Sequence, residues 1–284
     1  MLNQANYQVY KLGIQTVLLD PQQLPALPAV TLQIRSLLAD QNSDSAMISA
    51  CCAKDPGFSA LLMAAVASPL YAQQNKASTL SSAVAVLGRS RVQNLAMAYS
   101  LKSLFLIRRV ELKKLYEQIW QRMMMKAAIS SYLAKRTQLC DAEQALLTAL
   151  LTEVGTLATL SAFAEIDGNL DNKVFFRLCR EYAKSLGALL LRRWNIADDY
   201  ELYLKSCGRW SLSVGEDLQL IDLINLALHS SVTRLNSKNN LPKITSLPSY
   251  LKLEPQFRVL DEHGRLLLVS ANTAEIEQLQ KLMS

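Results

Sequence analysis

Histidine is nearly absent from this chain: 284 residues contain two, His229 and His263. A centre in which several imidazoles and carboxylates converge on one or two metal ions cannot be built from that supply. Glycine is scarce too, with nine, and neither a Gly-rich phosphate loop, nor G-x-G-x-x-G, nor G-x-S-x-G occurs. Five cysteines, an odd number without C-x-x-C, fit reduced thiols better than a disulfide framework, and the adjacent Cys51 and Cys52 read as small core residues. No N-terminal segment couples basic residues to an apolar run, so no signal peptide is expected. The apolar stretch that reads as the longest, Phe58 to Tyr71, is interrupted by Ser and Pro and is shorter than the ~20 residues a spanning helix needs. A soluble, cytoplasmic protein is the expectation. Alternation of apolar and polar residues over a strand's length is also missing, which points away from a sheet.

What is present is helix punctuation. Half the residues are hydrophobic and 19% are charged, a composition that folds. The net charge of +6 permits an acidic partner without demanding one. A helix is expected from Asn3 to Leu19, then a proline-rich turn, then helices from Ala29 to Leu38 and from the Ser43 or Asp44 cap to Ala53. Asp55 before Pro56 is an N-cap carboxylate ahead of a proline at the first helical position, and Pro69 stops that helix near Ser68. Ser78 or Thr79 caps a short helix to Leu87, where Gly88 supplies a left-handed C-terminal residue, and Ser90 starts the next helix. Leu112, Leu115, Ile119, Met123, Ala127, Ser130 and Ala134 recur at helical spacing over Val110 to Arg136. Further helices are expected over Ala142 to Leu151 behind the Asp141 cap, through Val154 to Phe163 with Gly168 and Asn169 ending the unit, and over Asn172 to Leu191. Two more follow, from Asp198 to Ser206 and from Glu216 to Leu235. After a linker-like loop, Phe257 to Leu260 and Leu266 to Val269 flank Asp261 to Arg265 and read as a β-hairpin, with a last helix from Thr273 to Met283.

The order L-P-A-L-P, a capped D-P helix, S-P-L-Y, and A-V-A-V-L-G-R-S-R-V-Q-N-L, between Leu24 and Phe105, resembles the HDOD domain. The resemblance runs to about His229. Ala67 and Ala72 stand where that family often has Asn and Gly. It implies an all-α, HD-domain-like multi-helix bundle, to which the chain adds a small C-terminal β-hairpin and helix. The chain is then expected to divide into an N-terminal helical extension over 1–23, an HDOD-like domain over 24–236 and, outside the resemblance, linker, hairpin and helix over 237–284. The domain itself divides into an N-terminal subdomain (24–106) and an HD-like subdomain (110–236).

The HDOD family is a bacterial relative of the HD phosphohydrolases that lacks their catalytic residues, and the segments here follow suit. I-W-Q-R resembles the L-W-x-H start of the first ligand helix, with Arg122 at the histidine. A-L-L-T-E-V-G resembles G-L-L-H-D-I-G, with Thr152 and Glu153 at the His-Asp pair. L-A-L-H resembles the segment of the last aspartate, with Leu228 there. These four residues are expected to line a vestigial pocket. Arg122, with Arg108 and Arg109, could hold an anion; the weightier alternative is an Arg122–Glu153 ion pair filling the space a metal vacated.

The resemblance implies a non-catalytic regulatory module in signal transduction, a pseudoenzyme without cofactor or metal. It would act through a signalling protein partner or through a nucleotide or other anionic ligand. The alternative is a metal-dependent phosphohydrolase with a residual site drawn from Glu153, Asp141, Asp222 and the two histidines. A Cys207 or Cys140 pair with His229 lacks a third orienting group. The basic residues from Arg89 to Arg122 have no aromatic interleaving and read as a solvated face, so neither nucleic acid nor membrane is an expected partner.

Overall fold

The computed structural model describes residues 4–20, 22, 24–71, 77–105, 107, 109–166, 171–196, 198–235 and 241–283. About 73% of the described residues are helical. α1 (Gln4–Leu19) buries Tyr7, Tyr10 and Ile14 against α9 (Val154–Ala164) and α10 (Asn172–Arg193), with Tyr10 stacked on Phe163. Leu12 of the same helix faces solvent. Gly168 and Asn169 lie outside the described residues.

The first half of the body is α2 (Ala29–Ala39), α3 (Ser45–Cys52), α4 (Pro56–Val66), α5 (Leu80–Leu87) and α6 (Arg89–Leu104). The caps are as local chemistry dictates. Asp44 accepts from the Met47 N–H, Asp55 from the Phe58 N–H, and Thr79 forms a reciprocal capping box with Ser82. Gly88 has φ +74 and ψ 162, a conformation essentially confined to glycine, and joins α5 directly to α6. Its φ is positive as expected, but its ψ places it in the extended mirror region and not in the left-handed helical one. Arg89 then donates to the carbonyls of Leu37, Leu38, Asp40 and Ser43, satisfying the open end of α2. Leu24 and Leu27 of the proline-rich turn are buried, and the Pro25 carbonyl accepts from the Trp194 indole at 2.8 Å, tying this half to the end of α10.

The second half is built on α7 (Val110–Thr137), against which α8 (Ala142–Leu151), α12 (Leu220–Leu235) and α15 (Thr273–Met283) all pack. From Met123 to Ala134 every residue of α7 is buried, so Met123, Met124 and Met125 are core on all sides of the helix. α11 (Asp198–Ser206) follows α10. α12 begins at Leu220, not Glu216: the Asp222 carboxylate accepts from the Gln219 N–H and caps the helix there. The segment Ala142–Ala164, which is longer than Phe58 to Tyr71, has the length and composition to cross a membrane, yet 78% of its most apolar window is buried in the bundle as α8 and α9.

The C-terminal hairpin is a correction. Among the described residues Leu260 and Leu266 form one isolated antiparallel bridge, and the rest of the segment is short helical turns: α13 (Pro248–Leu251), a 3₁₀ turn at Pro255–Phe257, and α14 (Leu267–Ser270). Two causes act together. The Asp261 carboxylate accepts from the His263 and Arg265 N–H groups, winding the loop tightly, with Gly264 at φ +70. Leu266 and Val269 are the buried pair of the following run, a spacing of three that a helix satisfies and a strand does not.

Candidate functional site

The residues that occupy the ligand positions of the HD pattern meet around one carboxylate. Glu153 lies in the break between α8 and α9. Its position there is set by Gly155, where an added Cβ would come within 1.7 Å of the Ala183 carbonyl oxygen, so the start of α9 lies directly on α10. Glu153 Oε2 accepts from Arg122 Nη2 at 3.1 Å and from Thr156 Oγ1 at 3.1 Å. Its Oε1 accepts from Lys126 Nζ at 2.9 Å.

Lys126 is the residue that sequence reading missed. Its side chain is 0% exposed, and beyond Glu153 its ammonium donates to Thr152 Oγ1 at 2.7 Å and faces Cys207 Sγ at 3.9 Å, which occupies all three of its N–H groups. One signal was available: Lys126 follows Arg122 by one helical turn and sits inside an otherwise apolar run. Burial alone would raise the Glu153 carboxyl; Lys126 and then Arg122 outweigh it and hold the group down at about 2.

Arg122, Thr152, Glu153 and Leu228 all line a single cavity of about 1090 Å³, open to solvent. Its other walls come from α10, through Phe176, Arg180 and Lys184, and from Gln118 of α7. Cys179 also lines it, and burial pushes that thiol up to about 12. Arg109 is elsewhere: it donates to the Ile166 carbonyl at 3.0 Å, about 20 Å along α7 from Arg122. Arg108 lies outside the described residues. Of the basic residues that precede α7, Arg89 is spent on carbonyls and Arg91 pairs with Glu143.

Of the other candidate groups, Cys207 lines the cavity, whereas Asp141, Asp222, His229, Cys140 and His263 do not. Asp141 caps α8, and Asp222 is buried against Ser249 and Lys252. His229 hydrogen-bonds the Pro242 carbonyl at 2.9 Å and meets Trp210 edge-on; burial lowers its pKa. Cys207 faces Lys126, Cys140 lies beside the Asp141 cap, and no hydrogen bond joins either thiol to His229. His263 is exposed in its loop. Among the described residues no group of three His, Cys, Asp or Glu side chains is placed to hold a metal ion. The cluster does not fit one either: a divalent cation would have to sit beside an ammonium and a guanidinium that already share the sole carboxylate.

Comparison with known proteins bears on this arrangement. No curated protein matches the chain. Several solved structures share its fold. A Shewanella amazonensis SB2B protein, provisionally described as a metal-dependent phosphohydrolase, is 17% identical with a TM-score of 0.74, over 99% of this chain and 100% of that one. A Geobacter sulfurreducens HDOD domain protein of unknown function is 18% identical with a TM-score of 0.65, over 99% and 97%. A Marinobacter aquaeolei VT8 protein, provisionally described as a signal transduction protein, is 18% identical with a TM-score of 0.65, over 100% of this chain and 67% of that one. The family model of the HDOD domain matches residues 24–204, nearly two thirds of the sequence, and the chain belongs to the HDOD domain family.

Proposed function

We propose that this chain is a non-catalytic regulatory module of signal transduction that acts by binding a protein partner or a small anionic ligand. The observation that carries the reading is the Lys126 ammonium, locked between Thr152 and Glu153 at the positions of the HD-type His-Asp pair. A protein cation there does the electrostatic work of neutralising Glu153, and it offers no coordination site and no bound water to activate. The cavity in front of it remains open and basic, which suits recognition more than hydrolysis.

The competing reading is metal-dependent phosphohydrolysis, which the provisional description of the Shewanella neighbour suggests by fold analogy alone. One experiment separates the two. The pure protein is assayed with a chromogenic phosphodiester in the presence of Mn²⁺, Mg²⁺, Zn²⁺ or Ni²⁺, beside the Glu153→Gln variant, with thermal shifts recorded for each metal. No metal-specific stabilisation and no Glu153-dependent turnover are expected. Turnover that disappears in Glu153→Gln would overturn the regulatory reading.

A further inference from the structure

Resting on that reading, we infer that the cavity in front of Glu153 is a nucleotide site, with the phosphate held by Arg122 and Arg180 and the base laid on Phe176. Four cations stand in or beneath it, Arg122, Lys126, Arg180 and Lys184, against the one carboxylate of Glu153, which Lys126 and Arg122 already neutralise. Arg122 gives Glu153 a single N–H, and its Nε is buried without a hydrogen-bond partner. An arginine presents its donors in a planar fork, and the Arg122 side chain is 25% exposed, so a phosphate in the cavity can accept from the part of the fork that Glu153 leaves open. Arg180 is exposed on the facing helix and has no ion-pair partner among the described residues.

The aromatic half of the argument is a matter of register. Phe176, Arg180 and Lys184 are spaced by four on α10 and form one stripe along the cavity wall. Phe176 is 42% exposed, unusual for so apolar a side chain, and its ring is braced edge-on by the buried Phe175 at 5.3 Å. It is a platform held in place and left uncovered, with a cation one turn further along. Gln118, opposite on α7, has an amide that can read the donors and acceptors on a base edge. A cavity of about 1090 Å³ has room for a whole nucleotide, at the upper end of the range for small-molecule sites.

The test is calorimetric titration of the full chain with inorganic phosphate, ribose 5-phosphate, AMP and GMP, repeated on Phe176→Ala and Arg180→Ala. Both residues are exposed, so both variants should fold, and circular dichroism checks it. At least one nucleotide is expected to bind about tenfold tighter than ribose 5-phosphate, with Phe176→Ala erasing that margin. Arg180→Ala is expected to weaken ribose 5-phosphate and the nucleotide alike, several-fold. Absence of nucleotide binding at millimolar concentration, or an unchanged nucleotide affinity in Phe176→Ala, overturns the site and leaves the non-catalytic reading intact. Metal-dependent conversion of the bound nucleotide would overturn that reading instead.

Discussion

Lys126 shows how much one buried charge can organise. It has no contact with water, and its partner Glu153 has 8% of its side chain exposed, so each depends on the other for solvation. Breaking such a buried pair typically costs ~3–5 kcal/mol, and without Lys126 the Glu153 carboxylate keeps only the more exposed Arg122 as a cation. Lys126→Ala is therefore expected to lose about that much in urea unfolding. The apolar double variant Lys126→Met with Glu153→Leu should recover most of it, and a silent Lys126→Ala would mean the pair contributes nothing. The acid limb has a definite sign. The folded carboxyl titrates at about 2 and the unfolded one near 4.5. Between those values the unfolded state binds more protons, so this contribution is intact above pH 4.5 and is lost as pH falls toward 2. Acid titration of wild type against the double variant reads it directly: the double variant should lack this part of the acid sensitivity. Arg122, Thr152 and Glu153 were legible in the sequence because they stand at motif positions. Lys126 was not, because a lysine in a helix ordinarily points to solvent, and nothing local says that α8 and α12 enclose this turn of α7.

At the scale of elements, two glycines do different jobs and should fail differently. Nothing lies within 4 Å of a Cβ added at Gly88, so Gly88→Val meets only backbone strain, about 1–3 kcal/mol. Gly155→Ala would drive a methyl into the Ala183 carbonyl and force α9 away from α10, overpacking of the costlier kind. Thermal unfolding of both is expected to show the larger loss in Gly155→Ala, although it adds the smaller side chain. The reverse order would mean that the crossing beneath the cavity is looser than described. Most helix starts were legible because an N-cap and a proline act within one turn of chain. Asp55 is an example: it caps α4 as read, while its second role, accepting from the Tyr99 hydroxyl at 3.0 Å, depends on α6 arriving beside it. The false hairpin failed for the same reason in reverse, since a turn signal between apolar runs cannot tell whether the runs will bury alternate residues or every third one.

At the scale of the whole molecule, the C-terminal segment from Leu241 to Met283 is part of the bundle. Ile276, Leu279, Leu282 and Met283 of α15 are buried, and Gln280 donates to the Gln121 carbonyl on α7. Ion pairs join Lys135 to Glu275 and Arg234 to Glu277, while Lys252 and Ser249 reach the buried Asp222 at 3.3 and 2.9 Å. A chain ending at residue 235 should thus expose α7 and α12 and unfold at a lower urea concentration with weaker cooperativity, as followed by near-ultraviolet dichroism. An unchanged midpoint would make the segment an independent appendage. The sequence alone determined where most helices begin and end, the family, and the shortage of histidine, because capping, helix breaking and composition are properties of neighbouring residues or of simple counts. Only the tertiary structure decided that Lys126 is buried and that α7 and α10 face each other across a basic cavity with Phe176 uncovered. It also decided that the last residues fold back as helical turns on the body. Burial, pairing and exposure belong to contacts between segments remote in the chain, and no local pattern encodes which segments those will be.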